Sequence, residues 1–301
     1  MRVADGAGPE VAHGAGASSA AAAAELAACA SLEITAGREE EARTIGAILP
    51  AGTRVYVNHL PRNRLADSLP TMRTLHECGL EPVPHVAARR VTARAELVLF
   101  LSIAIAEAGV RRVLLIGGDV DAPAGPYKDS ESLLRDGALA GTGLAEVGVA
   151  GYPEGHPRIA QAAIDAALAA KLSILAAQGL AAYMVTQFTF APARMVAYCD
   201  RLSREHPDLP VYAGFAGPTE AATLLRFAKR CGVSASLRAL KNLGMNAVRV
   251  ITHTDPGDQL ASLARYHAAH PSSNVAGIHL FCFGGARASA AWIKGVIAGT
   301  A

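Results

Sequence analysis

The chain has 301 residues, a length that suits one large α/β barrel or two ordinary domains. Hydrophobic residues make up 51%, charged residues 18%, and the formal net charge is +2, so we expect a large buried core and no basic nucleic-acid groove. Five scattered cysteines without a CxxC pair are typical of reduced thiols. No apolar run reaches the roughly 18 residues of a membrane span. These features predict a soluble, cytoplasmic protein whose partners are small molecules rather than nucleic acid or membrane.

The first residues differ in composition from the rest of the chain. Residues 1–17 are rich in Gly and Ala, and we predict that they form a disordered tail. Ser18 and Ser19 can cap a short alanine-rich helix over about residues 20–28. No linker divides residues 18–301, so we expect them to form one catalytic domain.

A short apolar run, a turn and a helical stretch then repeat eight times. Most runs are apolar on both faces, as strands of a buried parallel sheet are. The runs are Ser31–Thr35, Arg54–His59, Pro82–Ala87, Arg112–Gly118, Glu146–Tyr152, Ala181–Phe188, Pro210–Gly217 and Ala276–Gly284. Eight alternating units predict a single (β/α)8 TIM barrel with an N-terminal extension helix. A doubly wound sheet is the alternative, but no GxGxxG turn follows the first run.

The helical stretches include Arg94–Ala108 and Pro157–Gln178, which have helical length and many Ala and Leu residues. The segment between the seventh and eighth strands, about residues 218–275, is longer than one helix requires. We predict two or three helices there, including Thr219–Cys231 and Gln259–Ala269.

Polar side chains lie where the strands end, and in a barrel the chemistry collects at the carboxyl ends of the strands. They are Glu33, Asn58, His59, His85, Asp119, Tyr152, Glu154, His156, Thr186, Gln187 and His279. Strand seven has only small residues there, apart from Phe215.

Glu33 is the candidate general acid because it lies inside an apolar strand. Burial without a partner is costly for a carboxylate and raises its pKa, which suits proton donation near neutral pH. The alternative is a structural Glu paired with an Arg or Lys. Asp119 follows two glycines, so a ligand can approach its backbone closely; the alternative is a simple helix N-cap. Asp119 and Gln187 together offer the donors and acceptors that a heterocycle such as a pterin requires.

Other chemistries find less support in the sequence. His85 and His156 lack further ligands at metal-site spacing, so we expect no metal. No strand ends in Lys, which argues against Schiff-base chemistry, and no GxSxG or Cys/His signature occurs. One buried acid with recognition groups instead fits proton-assisted reduction that uses an organic cofactor.

The ordered motifs resemble the methylenetetrahydrofolate reductase family. They are Ser31-Leu32-Glu33, Pro84-His85-Val86, Gly118-Asp119, Gly151-Tyr152-Pro153-Glu154-Gly155-His156-Pro157, Thr186-Gln187-Phe188 and Gly277-Ile278-His279. The resemblance implies reduction of 5,10-methylenetetrahydrofolate to 5-methyltetrahydrofolate, or the reverse oxidation, within one-carbon metabolism and methionine biosynthesis.

The resemblance also implies a role for each matching residue. Glu33 matches the general acid, Asp119 and Gln187 match residues that hold the pterin, and Phe215 is the candidate stacking aromatic. The residues that match the flavin site are Asn58, His85, Gly118, Tyr152, His156 and Asp165.

Several positions depart from the family pattern, and they cluster around the expected flavin site. Asn58 replaces the usual Thr, and Gly117 replaces an Arg. An expected Lys falls on Leu175, with Lys171 one turn earlier, and Gly284 and Gly285 replace Asn and Arg. Losing cations weakens a diphosphate site. Two hypotheses therefore remain: the chain binds FAD, or the nicotinamide of NADH or NADPH transfers its hydride directly to folate.

A different class of function also remains open. A non-redox folate-binding barrel, such as a methyltransferase-type or binding paralogue, would share pterin recognition but would not require Glu33. The sequence does not distinguish NADH from NADPH or indicate the physiological direction. The resemblance leaves room for a homo-oligomer.

Overall fold

The computed structural model describes residues 11–60, 63–219, 223, 233 and 256–300. Eight parallel strands form a closed barrel in the order β1 to β8, with β8 pairing back onto β1. The strands are β1 Ser31–Thr35, β2 Arg54–Asn58, β3 Glu81–Ala87, β4 Arg112–Ile116, β5 Glu146–Gly151, β6 Ala181–Thr186, β7 Val211–Ala216 and β8 Val275–Phe281. This confirms the predicted (β/α)8 barrel.

Helices follow the strands and cover the outside of the barrel. They are α1 Val11–Ala28, α2 Glu39–Gly46, α3 Leu69–Glu77, α4 Arg94–Ala108, α5 Ser130–Arg135, α6 Gln161–Ala177, α7 Pro192–Glu205, α8 Gly257–Ala269 and α9 Ala286–Ile297. Short 3₁₀ turns at Leu65–Ser68 and Ala88–Arg90 follow β2 and β3. Among the helices described, none is long and apolar enough to cross a bilayer.

The N-terminal helix is longer than the sequence predicts. It begins at Val11 and so includes residues 11–17, which their composition assigns to the tail, while residues 1–10 lie outside the described part. The alanine run favours helix continuation. The helix buries Leu26 and Ala27 and packs against α8, α9 and β8. The predicted helix Gln259–Ala269 corresponds to α8, whereas Thr219–Cys231 falls mostly outside the described residues.

The strands alternate between two apolar regions, as strand geometry requires. Leu32 and Ile34 face the large cluster shared with the helices. Tyr56, Val83 and Leu114 belong to a second cluster that fills the inside of the barrel, together with Tyr183 and Val185. The interior is therefore packed, not a pore.

Charged residues close the amino-terminal end of the barrel. Arg112, the first residue of β4, bonds Glu81 of β3 at 2.6 Å and Glu146 of β5 at 2.9 Å. Each of the three is the first residue of its strand, and Arg112 and Glu146 are register partners. The candidate site residues lie at the opposite end, which is formed by the carboxyl ends of the strands and which we call the mouth.

Candidate active site

Glu33 faces the inside of the barrel. Its neighbours Leu32 and Ile34 point into the outer cluster, and its register partner is Tyr56 of the inner one. Burial raises the pKa of Glu33 to about 7, and a hydrogen bond with the Asn58 side chain opposes that rise. A substantial fraction of Glu33 is therefore protonated at neutral pH, as a general acid requires.

A layer of buried polar rings packs around Tyr56, the register partner of Glu33. His279 is fully buried, and its Nδ1 lies 2.9 Å from Ser31 Oγ. Tyr56 packs edge to face on His279 at 4.7 Å and on His85 at 5.8 Å. Burial lowers the pKa of His85 to about 3 and lowers that of His279 well below its usual value. Both rings are neutral, so they add no charge near Glu33.

Asp119 follows β4, and its side chain is held by Arg90, which lies in the 3₁₀ turn after β3. Arg90 Nη2 donates to Asp119 Oδ1, while its Nη1 donates to the His59 carbonyl. The Arg90 side chain is 9% exposed and that of Asp119 52%. Gly118 adopts a φ of +94°, which favours glycine before this carboxylate. Sequence reasoning missed Arg90, because a pairing between separate strand ends leaves no local pattern.

Gln187 follows β6 and is held by two bonds. Its backbone N–H donates to the Gly151 carbonyl at 2.8 Å, and its Oε1 accepts from the Phe188 N–H at 3.1 Å. The next turn is tied to the β5 loop, because Thr189 Oγ1 donates to Glu154 Oε1. The barrel thus brings Glu33, Asp119 and Gln187 to the same end, on β1 and after β4 and β6.

The remaining expected flavin residues lie on the β5 side. Tyr152 and His156 contact edge to face at 5.3 Å. Asp165, on α6, accepts from Gln161 at 2.9 Å and pairs with Arg201 of α7 at 3.1 Å. Burial lowers the pKa of His156 and raises that of Tyr152.

The expected flavin residues fit a flavin only in part. The Asn58 side chain is bonded to Glu33, His85 lies in the buried layer at 8% exposure, and Asp165 is paired on the helical side. Burial lowers the pKa of Lys171, and its nearest opposite charges are Glu131 and Asp129 of the α5 region. Of the six residues, Gly118, Tyr152 and His156 remain for a cofactor at the mouth.

Phe215 does not lie with the other expected site residues. Its ring is fully buried in the outer cluster, because on β7 it alternates with Gly214 and Ala216. The aromatic side chains near the mouth are instead Phe188 after β6 and Phe281 and Phe283 at the end of β8. Sequence reasoning did not single out Phe281 or Phe283.

In the described residues, no three His, Cys, Asp or Glu side chains are grouped as metal ligands would be. The geometry defines a (β/α)8 barrel whose described residues place a desolvated carboxyl, Glu33, and the polar side chains of Asp119 and Gln187 at one end. The family model described as methylenetetrahydrofolate reductase matches residues 63–243, more than half of the chain. The chain belongs to that family.

Solved structures of low identity share the fold. An uncharacterized protein from Clostridium thermocellum, described as binding two copies of 5-methyl-5,6,7,8-tetrahydrofolic acid, is 14% identical, with a TM-score of 0.61 over 89% of this chain and 94% of that one. Mycobacterium tuberculosis tryptophan synthase is 12% identical, with a TM-score of 0.51 over 94% and 97%. At these identities the likeness shows the barrel alone.

Proposed function

We propose that this protein interconverts 5,10-methylenetetrahydrofolate and 5-methyltetrahydrofolate by hydride transfer, with Glu33 as general acid. The observation that carries the proposal is the Glu33 carboxyl inside the barrel, with its pKa raised to about 7, at the same end as Asp119 and Gln187. Membership of the methylenetetrahydrofolate reductase family supports the substrate class.

Glu33 supplies a proton to the substrate. Opening the five-membered ring of methylenetetrahydrofolate breaks a C–N bond, and the departing nitrogen takes the Glu33 proton. The carbon is left as an iminium that accepts a hydride and becomes the methyl group. The neutral rings of His85 and His279 favour this role, because a cation beneath Glu33 would lower its pKa.

Asp119 and Gln187 hold the pterin in this proposal. The Asp119 carboxylate accepts hydrogen bonds, and the Gln187 amide offers both a donor and an acceptor. Arg90 fixes one oxygen of Asp119, and the Phe188 N–H fixes Gln187 Oε1. Both groups are therefore oriented before the substrate arrives, which reduces the entropy lost on binding.

A reduced nicotinamide or a reduced flavin would supply the hydride. Asn58 and Asp165, two of the six expected flavin residues, have polar partners within the protein, which favours direct use of NADH or NADPH; Tyr152 and His156 favour FAD. Turnover with each nicotinamide, with and without added FAD, distinguishes the two. A yellow purified protein would exclude the flavin-free hypothesis.

A folate-binding protein without redox activity is the second candidate. The C. thermocellum protein described as binding 5-methyltetrahydrofolic acid favours it, since binding is what is stated of that protein. Such a protein would retain Asp119 and Gln187 but would not depend on Glu33.

Glu33→Gln separates the two candidates. General acids contribute about 10²–10⁴-fold, so we expect turnover to fall by that factor while the Kd for 5-methyltetrahydrofolate, measured by calorimetry, changes little. Glu77→Gln, at an exposed position on α3, is the control and should keep full turnover. Unchanged turnover in Glu33→Gln would remove Glu33 from the mechanism, and a wild-type protein that binds folate without turnover would support the binding candidate.

A further inference from the structure

Phe283 has a backbone conformation that side chains rarely adopt. Its φ is +48°, and among the described residues it is the one non-glycine with positive φ. A bulky residue in this region is strained, and such strain persists where the surrounding structure maintains it, often at ligand sites. Phe283 lies two residues beyond the end of β8, at the mouth.

The strained backbone places two aromatic rings side by side. Phe283 and Phe281 have nearly parallel planes, 18° apart, with centroids separated by 6.3 Å. Both rest on the fully buried Phe188, at 5.3 and 5.5 Å, while their own side chains remain partly exposed. We call this pair, Phe281 and Phe283, the aromatic platform.

The neighbouring strand makes room for the platform. A Cβ on Gly214 of β7 would lie 2.8 Å from Phe281 Cε2 and 2.1 Å from the Thr186 carbonyl oxygen. Ala216, the register partner of Phe281, is also small. Small residues on β7 therefore allow the Phe281 ring to lie over the inside of the barrel.

The platform adjoins the general acid. β8 pairs with β1, and Cys282, between the two phenylalanines, has a buried sulfur that accepts a hydrogen bond from the Glu33 backbone, while its thiol donates to the Leu280 carbonyl at 3.6 Å. We propose that the platform stacks against an aromatic ring of the folate whose nitrogen Glu33 protonates. The inference rests on the proposed function and assigns to β8 the stacking role that Phe215 does not fill.

The test measures Kd for 5-methyltetrahydrofolate in Phe283→Leu and Phe283→Gly, with Tm as the second readout. Stacking on an aromatic side chain contributes roughly a tenfold factor in affinity, so we expect Kd to rise about tenfold in both variants. Tm should fall in both variants, because each loses contact with Phe188, and in Phe283→Gly the relief of the positive φ offsets part of that loss. The Kd for NADH should not change.

Phe190→Leu is the matched control, because Phe190 packs edge to face on Phe188 at 5.6 Å and is not part of the platform. Its Kd for folate should stay within about twofold of the wild type, since it loses no stacking surface. An unchanged folate Kd in Phe283→Gly, or a loss confined to NADH, would overturn the platform. A wild-type chain that binds no folate would instead refute the proposed function, and the platform with it.

Discussion

The barrel contains two sets of titratable groups that meet different environments. His85 and His279 lie in the packed interior, where desolvation keeps both rings neutral. Glu33 is in register with Tyr56, whose ring contacts both histidines, but it bonds the Asn58 side chain and its pKa is about 7. The comparison shows that burial keeps two imidazoles uncharged and, inside the same barrel, brings a carboxyl to exchange protons near neutral pH.

The largest expected effect is a loss of folding stability at low pH, caused by the two interior histidines. Each has a folded-state pKa below the unfolded value of about 6.5, so the unfolded chain binds more protons as pH falls. Their contribution to stability is therefore complete above about pH 6.5 and is lost below it, at about 1.4 kcal/mol per pH unit for each histidine. From about pH 6.5 to about pH 5, the two histidines should together cost roughly 3 kcal/mol, because the slope reaches its full value only well below the unfolded pKa.

Urea unfolding at several pH values measures this loss. Because His279→Gln removes one of the two groups, it should about halve the pH dependence, even if the variant is less stable overall. The same slope in wild type and variant would show that His279 is protonated in the folded state or that other groups dominate.

The next largest effect is the change in the free energy of unfolding when a methyl group is added in the packed interior rather than at the mouth. A Cβ on Gly148 of β5 would lie 2.5 Å from Tyr183 Cζ, whereas one on Gly117, after β4, would meet nothing within 4 Å. Overpacking costs about 1–3 kcal/mol, so Gly148→Ala should lower the free energy of unfolding by that amount. Gly117→Ala should change it little, and equal losses would contradict the contrast.

The smallest effect concerns the link between Asn58 and Glu33. The hydrogen bond favours the charged carboxylate, so Asn58→Ala should raise the pKa of Glu33 further. Turnover in the wild type should fall above about pH 7 as Glu33 loses its proton. In Asn58→Ala, the pH above which turnover falls should shift upward by less than about one unit. If the pH above which turnover falls does not change in the variant, another group controls that fall.

The sequence predicts the fold well because the strands are apolar on both faces and separated by clear helices. The predicted runs differ from the observed strands mainly at the carboxyl ends: the last predicted run extends to Gly284, whereas β8 ends at Phe281. Apolar residues continue past the strand there because they line the mouth, and hydrophobicity does not report where ladder pairing stops.

The site is predicted less completely than the fold. Glu33 is recognisable because a lone carboxyl inside an apolar strand is unusual, and the structure places it inside the barrel. Phe215 has a suitable size for stacking, but strand alternation turns it outward. Arg90 and Phe283 could not be found from the sequence, because one depends on a contact between strand ends and the other on a backbone angle.

Arg112 restricts the end of the barrel at which ligands can enter. Its bonds to Glu81 and Glu146, together with the tyrosines packed above it, seal one end of the cylinder. Within the described residues, the substrate and the hydride donor of the proposed reaction must therefore both enter through the mouth. A product that stays bound at the mouth would block the next reactant, so we expect product release to limit turnover once the chemistry at Glu33 is fast.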